Sequence, residues 1–177
     1  MTRVLAVDTS TSRTSVAIIE ADTVLFSGFL DGATAHGPSL PVLLQEALTV
    51  SGVDEVVVGM GPGPFTGLRV GIAFAQSFAL AREIPVRGVC SLDAIAAQIN
   101  EKDFIITVDA RRKEVYWARY RDGVRVGEPA VNFPTDVSGA PIHADLFPNM
   151  QALVNLPGNI TEPIYLRRPD AVATVDR

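Results

Sequence analysis

Cysteine, histidine and positive charge are all scarce in this chain of 177 residues. The single cysteine, Cys90, excludes a disulfide within the chain and suits a reducing compartment, so we expect a cytoplasmic protein. The two histidines, His36 and His143, are far apart and give no Cys/His spacing typical of a zinc site. Lys and Arg number 15 against 20 Asp and Glu, and this acidic balance argues against a chain that binds nucleic acid by itself.

Long apolar stretches are also missing. The longest runs from Val70 to Ala81 and is interrupted by Gln76 and Ser77, whereas a membrane-spanning helix needs about 20 apolar residues. The first residues enter a strand pattern directly, without the charged and then apolar segments of a secretory signal. We therefore expect no membrane partner, while the 47% hydrophobic content is enough for a folded core.

Hydrophobic periodicity predicts strands that alternate with helices. Ser91 is a candidate N-cap for the third helix. The predicted strands cover residues 3–8, 14–20, 23–30, 53–60, 85–89, 104–109 and 115–120, and the predicted helices cover 39–50, 66–82, 92–99 and a short segment near 149–155.

The start of the chain is repeated in its second half. The strand pattern Phe104–Asp109 mirrors Val4–Asp8, and in both copies a polar stretch and further strand patterns follow. Ala17 and Ala118 each lie nine residues after the aspartate of their copy. Such a duplication predicts two related α/β lobes.

A run rich in glycine and proline joins the fourth strand pattern to the second helix. Glycine permits positive φ and proline fixes its own φ, as a tight strand-to-helix turn requires, and Thr66 is a candidate N-cap. The spacing alone is equally typical of a stiff turn without chemistry. The run reads Gly61-Pro62-Gly63-Pro64-Phe65-Thr66-Gly67-Leu68-Arg69-Val70-Gly71.

The order of residues in this run closely resembles the signature of the TsaB (YeaZ) family, Gly-Pro-Gly-Ser-Phe-Thr-Gly-Leu-Arg-Ile-Gly. The run departs from that signature at Pro64, where serine is usual, and at Val70, where isoleucine is usual. Pro64 removes a hydroxyl and a backbone N–H. Residues 162–171 again resemble the ending of the family, whereas the stretch from about 130 to 160 is shorter than in relatives.

This resemblance implies an actin-like ATPase (ASKHA) fold, with an N-terminal lobe over residues 1–100 and a shortened C-terminal lobe and tail over 101–177. It implies a non-catalytic scaffold and activator subunit without cofactors, which supports formation of N6-threonylcarbamoyladenosine (t6A) next to the tRNA anticodon. The implied partners are a TsaD-type catalytic subunit, a TsaE-type ATPase and, for the chain alone, a second copy. Contact with tRNA is expected only through the complex.

The resemblance also implies a partner interface on the helices over 39–50 and 66–82. Phe74 and Phe78 lie one turn apart on the second of these helices, beside small residues that permit close packing. A core position remains the alternative for both rings. The residues assigned to the interface or to the family motif are Gly61, Pro62, Gly63, Phe65, Thr66, Gly67, Leu68, Arg69, Gly71, Phe74 and Phe78.

The turn after the first strand, Asp8–Thr11, is the place where actin-like ATPases hold a metal ion and cradle phosphate. Ser10 stands where that cradle needs glycine, so we interpret the segment as a hydroxyl-rich turn that satisfies its own backbone through Asx and Ser/Thr hydrogen bonds. The corresponding turn of the second copy holds Arg111-Arg112-Lys113, which is a solvated turn or a contact for an acidic partner or tRNA phosphate. An independent nucleotide- or sugar-phosphate-binding enzyme of this fold is the alternative, and nucleotide titration separates the two.

Neither His36 nor Cys90 is expected to be catalytic. His36 matches one histidine of the metal-binding pair of the TsaD family, but Leu40 occupies the second position. We expect His36 to start a helix, exposed to solvent or in a local hydrogen bond. Cys90 is expected to be buried, and no motif links it to a base, so proteolysis is not expected.

Overall fold

A computed structural model of the chain describes residues 2–32 and 34–167 and contains two mixed β-sheets. In the first sheet the strand order is β3-β2-β1-β4-β5, with β1 antiparallel to β2 and parallel to β4. The strands of this sheet are β1 (Arg3–Asp8), β2 (Arg13–Glu20), β3 (Thr23–Asp31), β4 (Glu55–Gly59) and β5 (Val86–Val89).

The second sheet repeats the first in a shorter form. Its strand order is β8-β7-β6-β9, and β6 is again antiparallel to the strand that follows it and parallel to a later one. The two-lobed α/β architecture expected from the duplication is therefore confirmed. The strands of this sheet are β6 (Asp103–Asp109), β7 (Val115–Arg121), β8 (Val124–Asn132) and β9 (Ile142–His143).

In the described part of the chain, three of the four α-helices pack against the first sheet, whereas the third along the chain packs against the second sheet. Helices α1 (His36–Ala47) and α2 (Phe65–Arg82) lie side by side on one face, because α1 buries Leu40 and Leu43 and α2 buries Leu68 and Ile72 against the strands. The remaining helices are α3 (Ser91–Ala96) and α4 (Met150–Asn155).

Helix α4 brings the chain back from the second sheet to the first. Its residues Leu153 and Val154 pack with Val4, Ala6 and Val57 in a cluster that lies apart from the α1 and α2 clusters. The lobe boundary at residue 100 stays a prediction. Across the described residues, no helix combines the length and the apolar character that spanning a membrane requires.

Both predicted N-caps are wrong. Helix α2 begins at Phe65 with Pro64 in the N-cap position, and α3 begins at Ser91 with Cys90 in the N-cap position. Neither N-terminus has a side-chain cap hydrogen bond. Thr66 lies inside the first turn of α2 and is exposed. The Ser91 hydroxyl is instead engaged by a carboxylate 83 positions earlier in the chain, as described below.

Candidate functional site

The C-terminal ends of three parallel strands meet at one edge of the first sheet. Strand β1 ends at Asp8, β4 leads into Gly61, and β5 leads into Ser91. In open α/β sheets this edge is where ligands bind. We therefore take this strand-end site as the first candidate.

Asp8 is enclosed by hydrogen-bond donors. Its Oδ1 accepts bonds from the Ser10 N–H at 2.9 Å and from the Ser10 hydroxyl at 2.7 Å, and its Oδ2 accepts one from the Ser91 hydroxyl at 2.6 Å. Burial raises the pKa of Asp8, and the bonds from Ser91 and Ser10 oppose that rise. The interpretation of a turn that satisfies its own backbone is confirmed, and Ser91 adds a donor that the sequence did not reveal.

The glycines of the motif run pack directly against the turn that follows Asp8. A methyl group on Gly63 would lie 2.9 Å from the Ser10 Cα, one on Gly67 would lie 2.9 Å from the Thr9 carbonyl oxygen, and one on Gly71 would lie 2.5 Å from the Thr9 hydroxyl. That hydroxyl donates to the Gly67 carbonyl at 2.7 Å and accepts from the Gly71 N–H at 3.1 Å. The motif therefore closes the side of the Asp8 turn with backbone atoms.

The other residues of the motif surround this contact. Gly61 adopts a positive φ of 93°, as a tight turn requires, and its carbonyl accepts a bond from the Ser91 N–H at 2.8 Å. Pro62 and Leu68 are buried, Phe65 lies 4.8 Å from Tyr165 between ring centroids, and the Arg69 guanidinium lies 5.1 Å from the Phe65 ring centroid.

Phe74 and Phe78 lie further along α2, away from the strand-end site. Their ring centroids are 5.5 Å apart, both are half-buried, and both pack against the cluster that α1 forms with the sheet. The most exposed apolar side chains of the helix pair are instead Leu80, 82% exposed, and Val42, 51% exposed. Leu80 lies one turn from exposed Gln76 on the same helix face. An apolar residue beside a polar one on that face is the sequence feature that could have identified Leu80 as an exposed apolar position.

His36 is the first residue of α1, as expected, but the expected exposure or local hydrogen bond is wrong. The side chain is buried, and its Nδ1 shares a hydrogen bond of 2.8 Å with the Thr14 hydroxyl on β2, which is not a local contact. Burial lowers the pKa of His36, whereas the Asp8 charge and the Thr11 main chain oppose this. Within residues 2–32 and 34–167, no group of three His, Cys, Asp or Glu side chains is arranged to hold a metal ion.

Cys90 is buried, as expected, and burial is the largest cause that raises the pKa of its thiol to about 12. At pH 8 only about one thiol in 10⁴ would then be the reactive thiolate. We expect a colourless disulfide reagent such as DTNB to release no thionitrobenzoate from the native protein within minutes, and one equivalent in denaturant. Rapid release from the native protein would contradict this assignment of Cys90.

Cavities lie along the described part of the first sheet. A small cleft of about 70 Å³ lies between the sheets and is lined by Thr11, Ser12, Pro64, Val108, Asp109, Arg111, Asp145, Leu146 and Phe147. This volume is well below the ~300 Å³ at which small-molecule sites begin. An open groove of about 390 Å³ lies beside β2 and β3. There the Arg13 guanidinium carbon lies 3.8 Å from the ring centroid of Phe29 and 3.9 Å from that of Phe147. The Asp31 carboxylate accepts hydrogen bonds from the same guanidinium.

The doubled sheet, with helices on both faces of its first copy, defines a two-lobed α/β protein. Residues 33–165 match a family model described as TsaD, tRNA N6-adenosine threonylcarbamoyltransferase. Two solved structures from Pseudomonas aeruginosa are similar in fold. One is described as an uncharacterized protein with similarity to peptidase YeaZ; its TM-score is 0.76 at 28% sequence identity, and the match covers 94% of this chain and 100% of that chain. The other is YeaZ, with a TM-score of 0.70 at 29% sequence identity; the match covers 88% of this chain and 90% of that chain.

The chain is 43% identical to an uncharacterized protein of Mycobacterium tuberculosis, over 95% of this chain and 93% of that relative. It is 37% identical to the tRNA threonylcarbamoyladenosine biosynthesis protein TsaB of Escherichia coli, over 71% of this chain and 59% of TsaB. The chain therefore belongs to the TsaB (YeaZ) family. It spans 56% of a relative from Mycobacterium leprae that is 43% identical over 97% of this chain.

Proposed function

We propose that this chain is a non-catalytic subunit in the biosynthesis of threonylcarbamoyladenosine in tRNA, acting through a TsaD-type catalytic partner. Membership of the TsaB family supports the pathway, since its relatives are named for that biosynthesis. The observation that carries the non-catalytic role is the closed strand-end site. The motif helix and the Ser91 hydroxyl occupy the surroundings of Asp8, where an actin-like ATPase would need an open cradle.

The side chains of His36 and Cys90 are also buried. His36 is bonded to Thr14, and the Cys90 thiol has a pKa raised far above the range in which it acts as a nucleophile. These contacts favour a scaffold and activator over the alternative of an independent nucleotide- or sugar-phosphate-binding enzyme.

The pair α1 and α2 supports the proposed partner surface. One face of each helix covers the sheet, and the opposite face exposes Leu80 and Val42. Exposed apolar side chains on two helices that pack together favour this face as the place where a partner docks. We propose that this face binds the TsaD-type partner and that, when the partner is absent, it binds a second copy of the chain. A TsaE-type ATPase is the third proposed partner. We also propose a lobe boundary near residue 100, between α3 and β6.

The proposal predicts an activity that depends on the assembled set. The pure chain with threonylcarbamoyl-adenylate and tRNA should transfer nothing above the uncatalysed background. Transfer should appear when the TsaD-type and TsaE-type proteins of the same organism are added, and mixtures that each lack one component serve as controls. Turnover by the chain alone would refute the non-catalytic role, and full activity of the mixture without this chain would refute the subunit role.

A further inference from the structure

Three of the chain's 15 basic residues stand side by side in the turn between β6 and β7. Arg111, Arg112 and Lys113 are all exposed, and we refer to them as the basic turn. The chain as a whole carries a net charge of −5, so the turn is a concentrated patch of the opposite sign. The helix interface and the strand-end site described above make no use of it.

The backbone of the basic turn is strained. Its three residues adopt the left-handed region, with φ values of 64°, 54° and 64°. This conformation brings the Cβ of an L-residue close to a carbonyl oxygen, whereas glycine adopts it freely. The turn nevertheless keeps three long basic side chains where glycine would relax the backbone. Strain that is retained in this way indicates that the side chains have a function.

Neighbouring groups hold the basic turn in this conformation. The Asp109 carboxylate accepts a hydrogen bond of 2.9 Å from the Arg111 N–H. The Arg167 guanidinium donates to the carbonyl oxygens of Ala110 at 2.9 Å and of Arg111 at 3.4 Å, and it forms an ion pair with Glu114. The backbone of the turn is thus ordered before any partner arrives, which lowers the entropy lost on binding.

The composition of the basic turn favours phosphate over a protein surface. Protein interfaces are centred on apolar and aromatic anchors, whereas contacts to a nucleic-acid backbone need only charge and hydrogen-bond donors. Across residues 110–114 the one apolar side chain is Ala110, which is buried. Two guanidinium groups and one ammonium group are well suited to phosphodiester oxygens.

We propose that the basic turn binds the phosphodiester backbone of the RNA substrate within the assembled complex. The inference rests on the proposed function, since that function supplies the RNA. It assigns this subunit a direct contact with tRNA, in addition to its contact with the catalytic partner. Three charges give weak, salt-sensitive binding, so the contact positions the RNA in the complex and does not retain it on the isolated chain.

The test uses the complex of this chain with its TsaD-type partner, and measures tRNA binding by fluorescence anisotropy between 50 and 200 mM salt. The variant is Arg112→Ala with Lys113→Ala; Arg111 is kept because it also lines the cleft between the sheets. Loss of two phosphate contacts should make the plot of log K against log salt less steep by about 1.5. Binding at 50 mM salt should weaken, while the partner complex stays intact on size exclusion.

A matched control removes the same two charges from the other end of the same hairpin. Lys102→Ala with Arg121→Ala lies about 20 Å from the basic turn and should leave the salt slope unchanged. If the wild-type complex binds tRNA and the Arg112/Lys113 variant shows the wild-type slope, the proposal for the basic turn is wrong while the proposed function stands. Loss of partner binding by that variant would assign the turn to a protein contact instead. A wild-type complex that binds no tRNA would overturn both proposals.

Discussion

Replacing Gly63 with alanine should destabilise the fold by about 3 kcal/mol, the upper part of the range for overpacking a closed site. The added methyl group would lie 2.9 Å from the Ser10 Cα and still closer to the Ser10 carbonyl oxygen. These are backbone atoms of a turn that also holds Asp8 through two hydrogen bonds. The turn cannot move away from the added methyl group without weakening those hydrogen bonds. Because the close atoms belong to the backbone, rotation of a side chain does not relieve the overlap.

The measurement is urea unfolding of wild type and variant, with the change in midpoint converted through a common m-value. Gly37→Ala is the matched control, because Gly37 lies in the first turn of α1 and a methyl group there would meet nothing within 4 Å. That variant should be neutral or stabilising by up to about 1 kcal/mol. Equal midpoints for Gly63→Ala and Gly37→Ala would show that the motif glycines do not act by close packing.

The sequence was sufficient to predict most strands and helices and the duplication. A continuous apolar pattern such as Phe104–Asp109 predicts both a strand and its burial. Apolar side chains at successive positions point to opposite faces of a strand, so both faces are expected to be covered. The repeated start of the two lobes is visible in the chain because both copies keep the order of strand, turn and strand. The apolar pattern and the order of elements depend only on residues that are close together in the chain, so a single sequence is enough to predict them.

The details of the strand-end site depend on contacts between residues that are far apart in the chain, and local sequence patterns do not contain those contacts. Ser91 has the local pattern of an N-cap, but its hydroxyl donates to Asp8, which the parallel pairing of β1, β4 and β5 brings beside it. His36 is buried because α1 begins beneath the turn between β1 and β2, where Thr14 meets its ring. Gly63 lies in the strand-to-helix turn, but its φ is not positive, and its close approach to Ser10 is what requires glycine there.

Charging the exposed face of α1 and α2 should abolish binding of the TsaD-type partner without unfolding the chain. The variant is Val42→Glu with Leu80→Glu, at the most exposed apolar positions of the two helices. Each carboxylate would lose water on docking without gaining a partner, so we expect binding to weaken at least about tenfold for each substitution. Each surface change of this kind alters the free energy of unfolding by about 0.5 kcal/mol or less, so the melting temperature of the double variant should stay within about 4 °C of wild type.

Phe74→Glu is a poorer test of the same face, because that ring is half-buried against the α1 cluster and its replacement would also weaken the fold. A better comparison is Val124→Glu with Val126→Glu on β8, two exposed apolar positions of the second lobe that receive the same charges. Calorimetric titration with the TsaD-type partner should detect wild-type affinity for the β8 variant and no binding for the helix variant. Sedimentation of each chain alone would show whether a second copy uses the same face. If the folded helix variant binds the partner as tightly as wild type, the interface lies elsewhere on the molecule, and the exposed positions of α1 and α2 need another explanation.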